Sequence, residues 1–321
     1  MKNSSKLKGL LTVAATAALF TFSGTAKADY PEKSVEMTVL FGGTANTIAQ
    51  ILSDLLSEEL GQPVVPVARK GGGGAVGYTY LQSAAADGYS IVWNSNSINT
   101  TYHTGRIPFD HTAFTPIARI STEIPALAVN SSTGWSSLAD MTAAANANGG
   151  KLKVGISGKG SFTHLTSAAI FDAMGISDKI IYISYGSGKA PIELLAGRID
   201  AAIQWPGQFT SYAKSGDLTV LAVTGSERVN VLPDVQTAQE QGVDVNISMW
   251  RGLAAPAGTS AEVVTALETA ARNAVENERF TEAAANVGFS KAFLGANEFG
   301  ELIASDDAFY SNLLSQLGMK K

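Results

Sequence analysis

Two short glycine turns contain the residues of this chain that are best suited to binding chemistry. Gly42 and Gly43 separate the apolar segment 37–41 from the helical run 47–56, and a second turn, 157–164, is rich in glycine and hydroxyl residues. Backbone N–H groups at the start of a helix lack internal partners and favour an anion. The pattern therefore predicts two halves of an anion clamp. For the first turn, a simple tight connection is an equally good interpretation.

Polar residues also follow other predicted strands. Three asparagines and two serines lie within 94–99 after the strand 89–93, and Gln204 and Trp205 follow the strand 200–203. Open α/β sheets bind ligands at the carboxyl ends of their strands. For any one asparagine, a turn-forming role that satisfies its own backbone is the more common alternative.

Signals of catalysis are weak. Gly72, Gly74 and Gly77 match a dinucleotide fingerprint by letter, but the acidic ribose contact expected about 20 positions later is missing. Ser211 and Lys214 have the spacing of a serine hydrolase dyad without its partner motifs. The sequence therefore predicts no catalytic residues and no enzyme.

Metal chemistry is equally poorly supported. The chain has three histidines without ligand spacing and no cysteine, so we expect no metal and no cofactor. His164 begins the helix after the second glycine turn. It could donate a hydrogen bond to an anion, or make a structural hydrogen bond to the turn.

The alternation of strands and helices predicts α/β layers with largely parallel sheets. Two extended segments, 123–129 and 249–255, enclose a middle block. We therefore expect a discontinuous first domain, with the chain passing twice through a hinge.

The first 28 residues have the features of an export signal. Three lysines precede a small, apolar run, and Ala26-Lys27-Ala28 fits a cleavage site before Asp29. Without these residues, which carry four lysines and no acid, the formal charge of −5 becomes −9. An acidic chain is a poor candidate for binding nucleic acid, and we expect none.

Many short sequences, in one order along the mature chain, resemble the periplasmic solute-binding proteins of tripartite tricarboxylate transporters, the Bug-type receptors. The resemblance rests on Tyr30 to Val35, Gly42-Gly-x-x-Asn46, Gln62 to Val65 with Arg69, Gly71 to Gly77, Ala86 to Tyr89, Phe114 to Ile117, Gly155-x-Ser-Gly-x-Gly-Ser161 with His164, Leu194 to Asp200, Leu221 to Thr224, Leu232 to Val235, Trp250 and Ala255 to Thr259.

This resemblance implies a two-domain periplasmic-binding-protein fold, type II-like, with a ligand cleft between the domains. Residues 29–127 plus 254–321 would form domain 1, and 128–253 domain 2. It also implies a monomer that captures a small organic anion, most simply a carboxylate, and passes it to membrane permease subunits. Together with the turns, it predicts these ligand-binding residues: Phe41, Gly43, Thr44, Asn46, Thr47, Asn94, Asn96, Ser157, Lys159, Gly160, Ser161, Thr163, His164, Tyr185, Ser187, Gln204, Trp205 and Trp250.

Two departures from the family pattern bear on specificity. Asn46 stands where the family usually has aspartate, which favours an acid without an amino group. Arg251 stands where an apolar or aromatic residue is common, and it could add a positive contact or point to solvent. The alternatives to a transport receptor are an exported serine hydrolase and a ligand sensor for a membrane kinase.

Overall fold

The computed structural model describes residues 30–147, 151–186 and 188–321. The predicted signal peptide, 1–28, and the predicted ligand contact Ser187 lie outside this part of the chain. Within it, the chain forms two α/β lobes, each built on one sheet.

The first lobe is built on a six-stranded sheet in the order β11-β4-β10-β3-β1-β2. Its strands are β1 (Val35–Val39), β2 (Val64–Ala68), β3 (Ser90–Ser95), β4 (Phe114–Glu123), β10 (Met249–Pro256) and β11 (Ser290–Leu294). Its helices are α1 (Thr44–Leu60), α2 (Ala75–Gln82), α3 (Ser97–His103), α8 (Ala261–Glu276), α9 (Glu278–Val287) and α10 (Ala296–Gln316).

The second lobe is built on a five-stranded sheet in the order β7-β6-β8-β5-β9. Its strands are β5 (Ala126–Asn130), β6 (Leu152–Ile156), β7 (Ile180–Ser184), β8 (Ala201–Gln204) and β9 (Leu218–Val223). Its helices are α4 (Leu138–Ala147), α5 (Phe162–Ala173), α6 (Ala190–Leu195) and α7 (Thr210–Ser215).

The expectation of largely parallel sheets is wrong. Strand β1 is parallel to β2 and β3, and β6 is parallel to β7 and β8. However, β10 runs antiparallel to both β3 and β4, and β5 runs antiparallel to β8 and β9. Strands β5 and β10 are the first strands after the two crossings between the lobes. Each runs opposite to the parallel strands of the sheet that it joins, so both sheets are mixed.

The chain changes sheet twice, as the two extended segments predict. It leaves the first sheet after Glu123 and enters the second at Ala126, and it returns between Val223 and Met249. The domain limits given above stay a prediction.

Helix α1 shows why the sequence folds in this way. Ile48, Leu52 and Leu55 recur at helical spacing and are buried, and they belong to the first lobe's core together with Leu267 of α8. Burial of this one apolar face fixes α1 against the sheet. The loop before α1 is thereby held at the carboxyl end of β1.

Helix α10 packs on both lobes. Phe299 and Ile303 near its start belong to a core cluster of the first lobe, whereas Tyr310 and Leu314 near its end belong to the second lobe's core. The last helix therefore spans the junction between the lobes.

Candidate functional site

A small cavity lies where loops of the two lobes meet. Its volume is about 90 Å³, which suits a small solute rather than a drug-sized ligand. The lining residues are Phe41, Gly42, Gly73, Ser97, Thr100, Ser157, Gly160, Ser161, Phe162, Thr163, Trp205, Met249 and Arg251. The first five belong to the first lobe, and the residues from Ser157 to Trp205 belong to the second.

Larger hollows exist, among them one of about 340 Å³ lined by residues 229–231 and by parts of α9 and β11. The smaller cavity is the better candidate because it combines both glycine turns with a buried cation.

The second lobe's wall is a turn held by its own hydrogen bonds. Ser161 Oγ accepts from the N–H of His164 at 3.3 Å and caps helix α5, and Thr163 Oγ1 accepts from the N–H of Ser157 at 2.9 Å. The N–H of Gly160 donates to His164 Nδ1 at 3.1 Å. These bonds fix the loop that faces the cavity before any solute arrives.

His164 supports this turn by accepting the hydrogen bond from Gly160. It is buried, and its ring meets that of Tyr182 edge-on, with centroids 4.5 Å apart. Burial, assisted by the charge of Lys159, lowers the pKa of His164 from 6.5 to about 4. The imidazole is therefore neutral at pH 7, with Nδ1 available as the acceptor that Gly160 requires. Of the two roles considered for His164, the structure shows the structural one.

The first lobe's wall depends on glycine. Gly73 has φ of 73°, and a Cβ on it would lie 2.5 Å from Nη1 of Arg106. Gly160, on the opposite lobe, has φ of 75°, and a Cβ there would lie 2.9 Å from Nη2 of the same arginine. One guanidinium thus fits between two glycine backbones at the edge of the cavity.

Arg251 is the one charged side chain among the described residues of the cavity lining. It is 3% exposed and forms an ion pair through Nε with Glu123, which is 1% exposed. Its Nη1 has no hydrogen-bond partner among the described residues. A buried guanidinium normally has its donors satisfied, so an open donor beside a cavity indicates a place for an acceptor.

A basic cavity of about 390 Å³ adjoins this site. Arg106, Lys159, Lys320 and Lys321 line it, and Arg106 reaches across to the second lobe. Arg106, which lines the basic cavity, also lies against Gly73 and Gly160, which line the smaller one.

Six of the predicted ligand contacts line the cavity: Phe41, Ser157, Gly160, Ser161, Thr163 and Trp205. Two more lie close to it. Lys159 lines the basic cavity, and Gln204 donates from Nε2 to Ser157 Oγ at 3.3 Å.

The structure does not bring the other predicted contacts to the lining. Gly43, Thr44, Asn46 and Thr47 form the start of α1, and Tyr185 packs in a core cluster of the second lobe. As ligand contacts, they stay predictions.

Asn94, Asn96 and Trp250 are occupied within the protein. Asn94 Oδ1 accepts from Tyr78, and Asn96 Nδ2 donates to Asp306 Oδ2 at 2.6 Å. Trp250 Nε1 donates to the same carboxylate oxygen, also at 2.6 Å. The side chains of both asparagines and of Trp250 therefore have hydrogen-bond partners within the first lobe.

The predicted ligand contacts did not include six residues that line the cavity: Gly42, Gly73, Ser97, Thr100, Phe162 and Met249. Four of them stand in segments that the sequence had singled out: Gly42 and Phe162 in the two glycine turns, Gly73 in the glycine run, and Ser97 in the 94–99 loop. The positions of Met249 and Arg251 could have been linked from the sequence, because side chains two residues apart on a strand face the same side of the sheet. Arg251 was considered as an extra contact, and it is buried rather than pointing to solvent.

No group of three or more histidine or acidic side chains in the described chain could hold a metal ion. Ser211 and Lys214 lie on exposed positions of α7 and do not line the cavity. Among the described residues, no helix has both the length and the apolar character needed to cross a bilayer.

Two α/β lobes, joined by two crossings and enclosing a small cavity lined from both sides, define a bilobal solute-binding protein. The chain belongs to the tripartite tricarboxylate transporter family receptors (TctC), whose family model matches residues 48–319.

Individual relatives agree with this assignment. A protein from Agrobacterium vitis, encoded in the TAR-I ttuE–ttuC′ intergenic region, is 30% identical over 87% of this chain and 82% of its own length. The periplasmic binding protein BugD superposes with a TM-score of 0.81 at 25% identity, covering 91% of this chain and 100% of that one. The R. palustris protein Rpa4515 with adipate gives 0.82 at 26% identity, covering 90% and 99%. The family consists of solute-binding receptors rather than enzymes.

Proposed function

We propose that this protein captures a small organic anion bearing a carboxylate in the cavity between its lobes and delivers it to a tripartite tricarboxylate-type membrane transporter. The site of action is the periplasm, after export and cleavage near Ala28.

Arg251 is the observation that carries this proposal. Removing a guanidinium from water is costly unless its donors are paired, and Nη1 of this cavity-lining residue is buried without a hydrogen-bond partner among the described residues. Because Glu123 holds Nε, the remaining N–H groups have a fixed direction. A carboxylate fits such a planar fork of donors better than a neutral solute does.

The adjacent basic cavity supports an anionic solute. Arg106, Lys159, Lys320 and Lys321 gather there on a chain that is acidic overall. A local positive potential raises the concentration of anions near the opening and speeds their association. Of the relatives, Rpa4515 is a protein solved with adipate, a dicarboxylate, which is consistent with a carboxylate cargo.

Calorimetry of the mature protein with adipate, succinate, benzoate and their amides tests whether the bound solute must be an anion. We expect carboxylates alone to bind, and Arg251→Gln to weaken the binding about 10- to 100-fold, since a charged hydrogen bond contributes roughly 1.5–3 kcal/mol. The matched control is Arg119→Gln, because Arg119 lies on the neighbouring strand β4 and donates to the carbonyl of Ala292 within the first lobe. Equal binding of acids and amides would refute the proposal.

Delivery needs a separate test. Membrane vesicles carrying the cognate permease should take up the labelled acid only when the mature protein is added. If the protein binds the acid but does not stimulate uptake, the transport step is wrong and the binding step stands.

A further inference from the structure

The cavity walls are mainly apolar. Phe41 comes from the first lobe, Phe162 and Trp205 come from the second, and Met249 stands at the return crossing. The rings of Phe162 and Trp205 are stacked, with centroids 6.0 Å apart and planes inclined by 19°. Both side chains are under 10% exposed, so the flat wall is part of the folded structure.

The hydroxyl groups of the lining already have protein partners. Ser157 Oγ accepts from Gln204, and Thr163 Oγ1 accepts from the N–H of Ser157. Thr100 Oγ1 donates to the carbonyl of Ser97 at 3.3 Å. Arg251 differs from them, since its Nη1 is buried and has no partner among the described residues.

The charged anchor and the apolar wall are adjacent. Met249 and Arg251 are two residues apart on β10, and side chains at this spacing project from the same face of a strand. A solute whose carboxylate meets Arg251 therefore has its body beside Met249 and the aromatic walls.

From this arrangement we propose that the preferred solute is a monocarboxylate with a flat, ring-bearing apolar body, its carboxylate on Arg251 and its ring against Trp205 and Phe162. This inference rests on the proposed function and narrows it. A second carboxylate directed along these rings would meet apolar walls, where an unpaired charge is strongly disfavoured. Dicarboxylates and tricarboxylates therefore bind this cavity less tightly than such a monocarboxylate does, although the family's description names tricarboxylate transporters.

The test compares affinities of the full mature protein for benzoate, phenylacetate and cyclohexanecarboxylate with those for succinate, adipate and citrate. Benzamide serves as the uncharged match of benzoate. We expect benzoate or phenylacetate to bind at least tenfold more tightly than any acid of the second group. Cyclohexanecarboxylate should bind less tightly than benzoate, because its body is not flat.

Trp205→Leu should weaken benzoate binding tenfold or more. The control is Trp135→Leu, because Trp135 is a partly buried tryptophan of the same lobe that does not line the cavity. Thermal unfolding of each variant shows whether it is folded. Should Trp205→Leu not fold, Phe162→Leu provides the same comparison on the stacked partner ring.

The outcomes separate the two proposals. Tighter binding of adipate or succinate than of benzoate, still lost in Arg251→Gln, overturns the monocarboxylate inference and leaves the anion proposal intact. Binding of benzamide equal to that of benzoate overturns both. Absence of binding by every acid in the panel also counts against both.

Discussion

Nη2 of Arg106, on the first lobe, donates to the carbonyl oxygen of Lys159, on the second lobe, across 2.7 Å. This bond joins the lobes at the edge of the cavity, directly beside the two glycines that line it. It therefore stabilises the arrangement in which both walls face one solute.

We expect Arg106→Gln to speed release of a bound carboxylate about 2- to 10-fold, because an exposed hydrogen bond of this kind contributes roughly 0.5–1.5 kcal/mol. Stopped-flow dissociation measures the effect. Arg272→Gln is the control, since Arg272 pairs with Glu268 within one helix of the first lobe. An unchanged release rate in Arg106→Gln would show that this contact does not hold the lobes together.

Gly160→Ala should both destabilise the protein and impair binding. At φ of 75° an alanine is strained by roughly 1–2 kcal/mol, and its Cβ would displace the guanidinium of Arg106. Chemical denaturation and calorimetry measure the two effects.

Two other glycines of the second lobe separate strain from contact. Gly134→Ala has the strain alone, since φ is 71° and no atom lies within 4 Å, and it should lower stability without affecting binding. Gly158→Ala has neither problem and should behave as the wild type. Binding losses of equal size in the Gly134 and Gly160 variants would contradict the role given to Arg106.

Stability should fall on acidification through His164. The unfolded chain takes up this proton near pH 6.5, whereas the folded protein resists it down to about pH 4, so the contribution is complete above 6.5 and is lost between 6.5 and 4. The shift corresponds to roughly 3 kcal/mol, and solvent screening reduces this to about 2. Urea denaturation across this range measures the slope.

His164→Gln should have a flatter profile, because its amide oxygen can accept from Gly160 without titrating. Carboxylates titrate at the acid end in both proteins, so the difference between the two profiles is the relevant quantity. Parallel profiles would mean that His164 does not set the acid sensitivity.

The buried pair of Arg251 and Glu123 allows stability to be separated from binding. Arg251→Met leaves an uncompensated buried carboxylate and should lower the free energy of unfolding by about 3–5 kcal/mol. The double variant Arg251→Met/Glu123→Leu removes both charges and should recover most of that loss, yet it should still fail to bind benzoate or adipate. Recovery of binding in the double variant would exclude Arg251 as the anchor.

The sequence predicted those parts of the fold that depend on local pattern. Helical spacing of Ile48 and Leu52 located α1, and the two extended segments predicted both crossings between the lobes. Strand direction was not predictable in this way, because the pairing of β10 with β3 and β4 joins residues more than 120 positions apart.

The site was predictable to a similar extent. The second glycine turn supplies five lining residues, and four of them were predicted because its hydroxyls and its helix cap are encoded within eight positions. The sequence did not identify Phe162 and Thr100 as cavity residues. An apolar or hydroxyl residue on a helix is ordinarily interpreted as a core or surface residue, and only the position of the opposite lobe shows that it lines a cavity. The burial of Arg251 likewise depends on its distant partner, Glu123.

Of the four tryptophans, Trp93, Trp135, Trp205 and Trp250, only Trp205 lines the cavity. Trp93 and Trp250 have their indole N–H groups bonded elsewhere in the first lobe, to Ala45 and Asp306. Occupation of the cavity should therefore alter the ultraviolet emission of a single indole against a nearly constant background. The protein thus contains an intrinsic optical reporter, with which candidate solutes can be screened without attaching a dye.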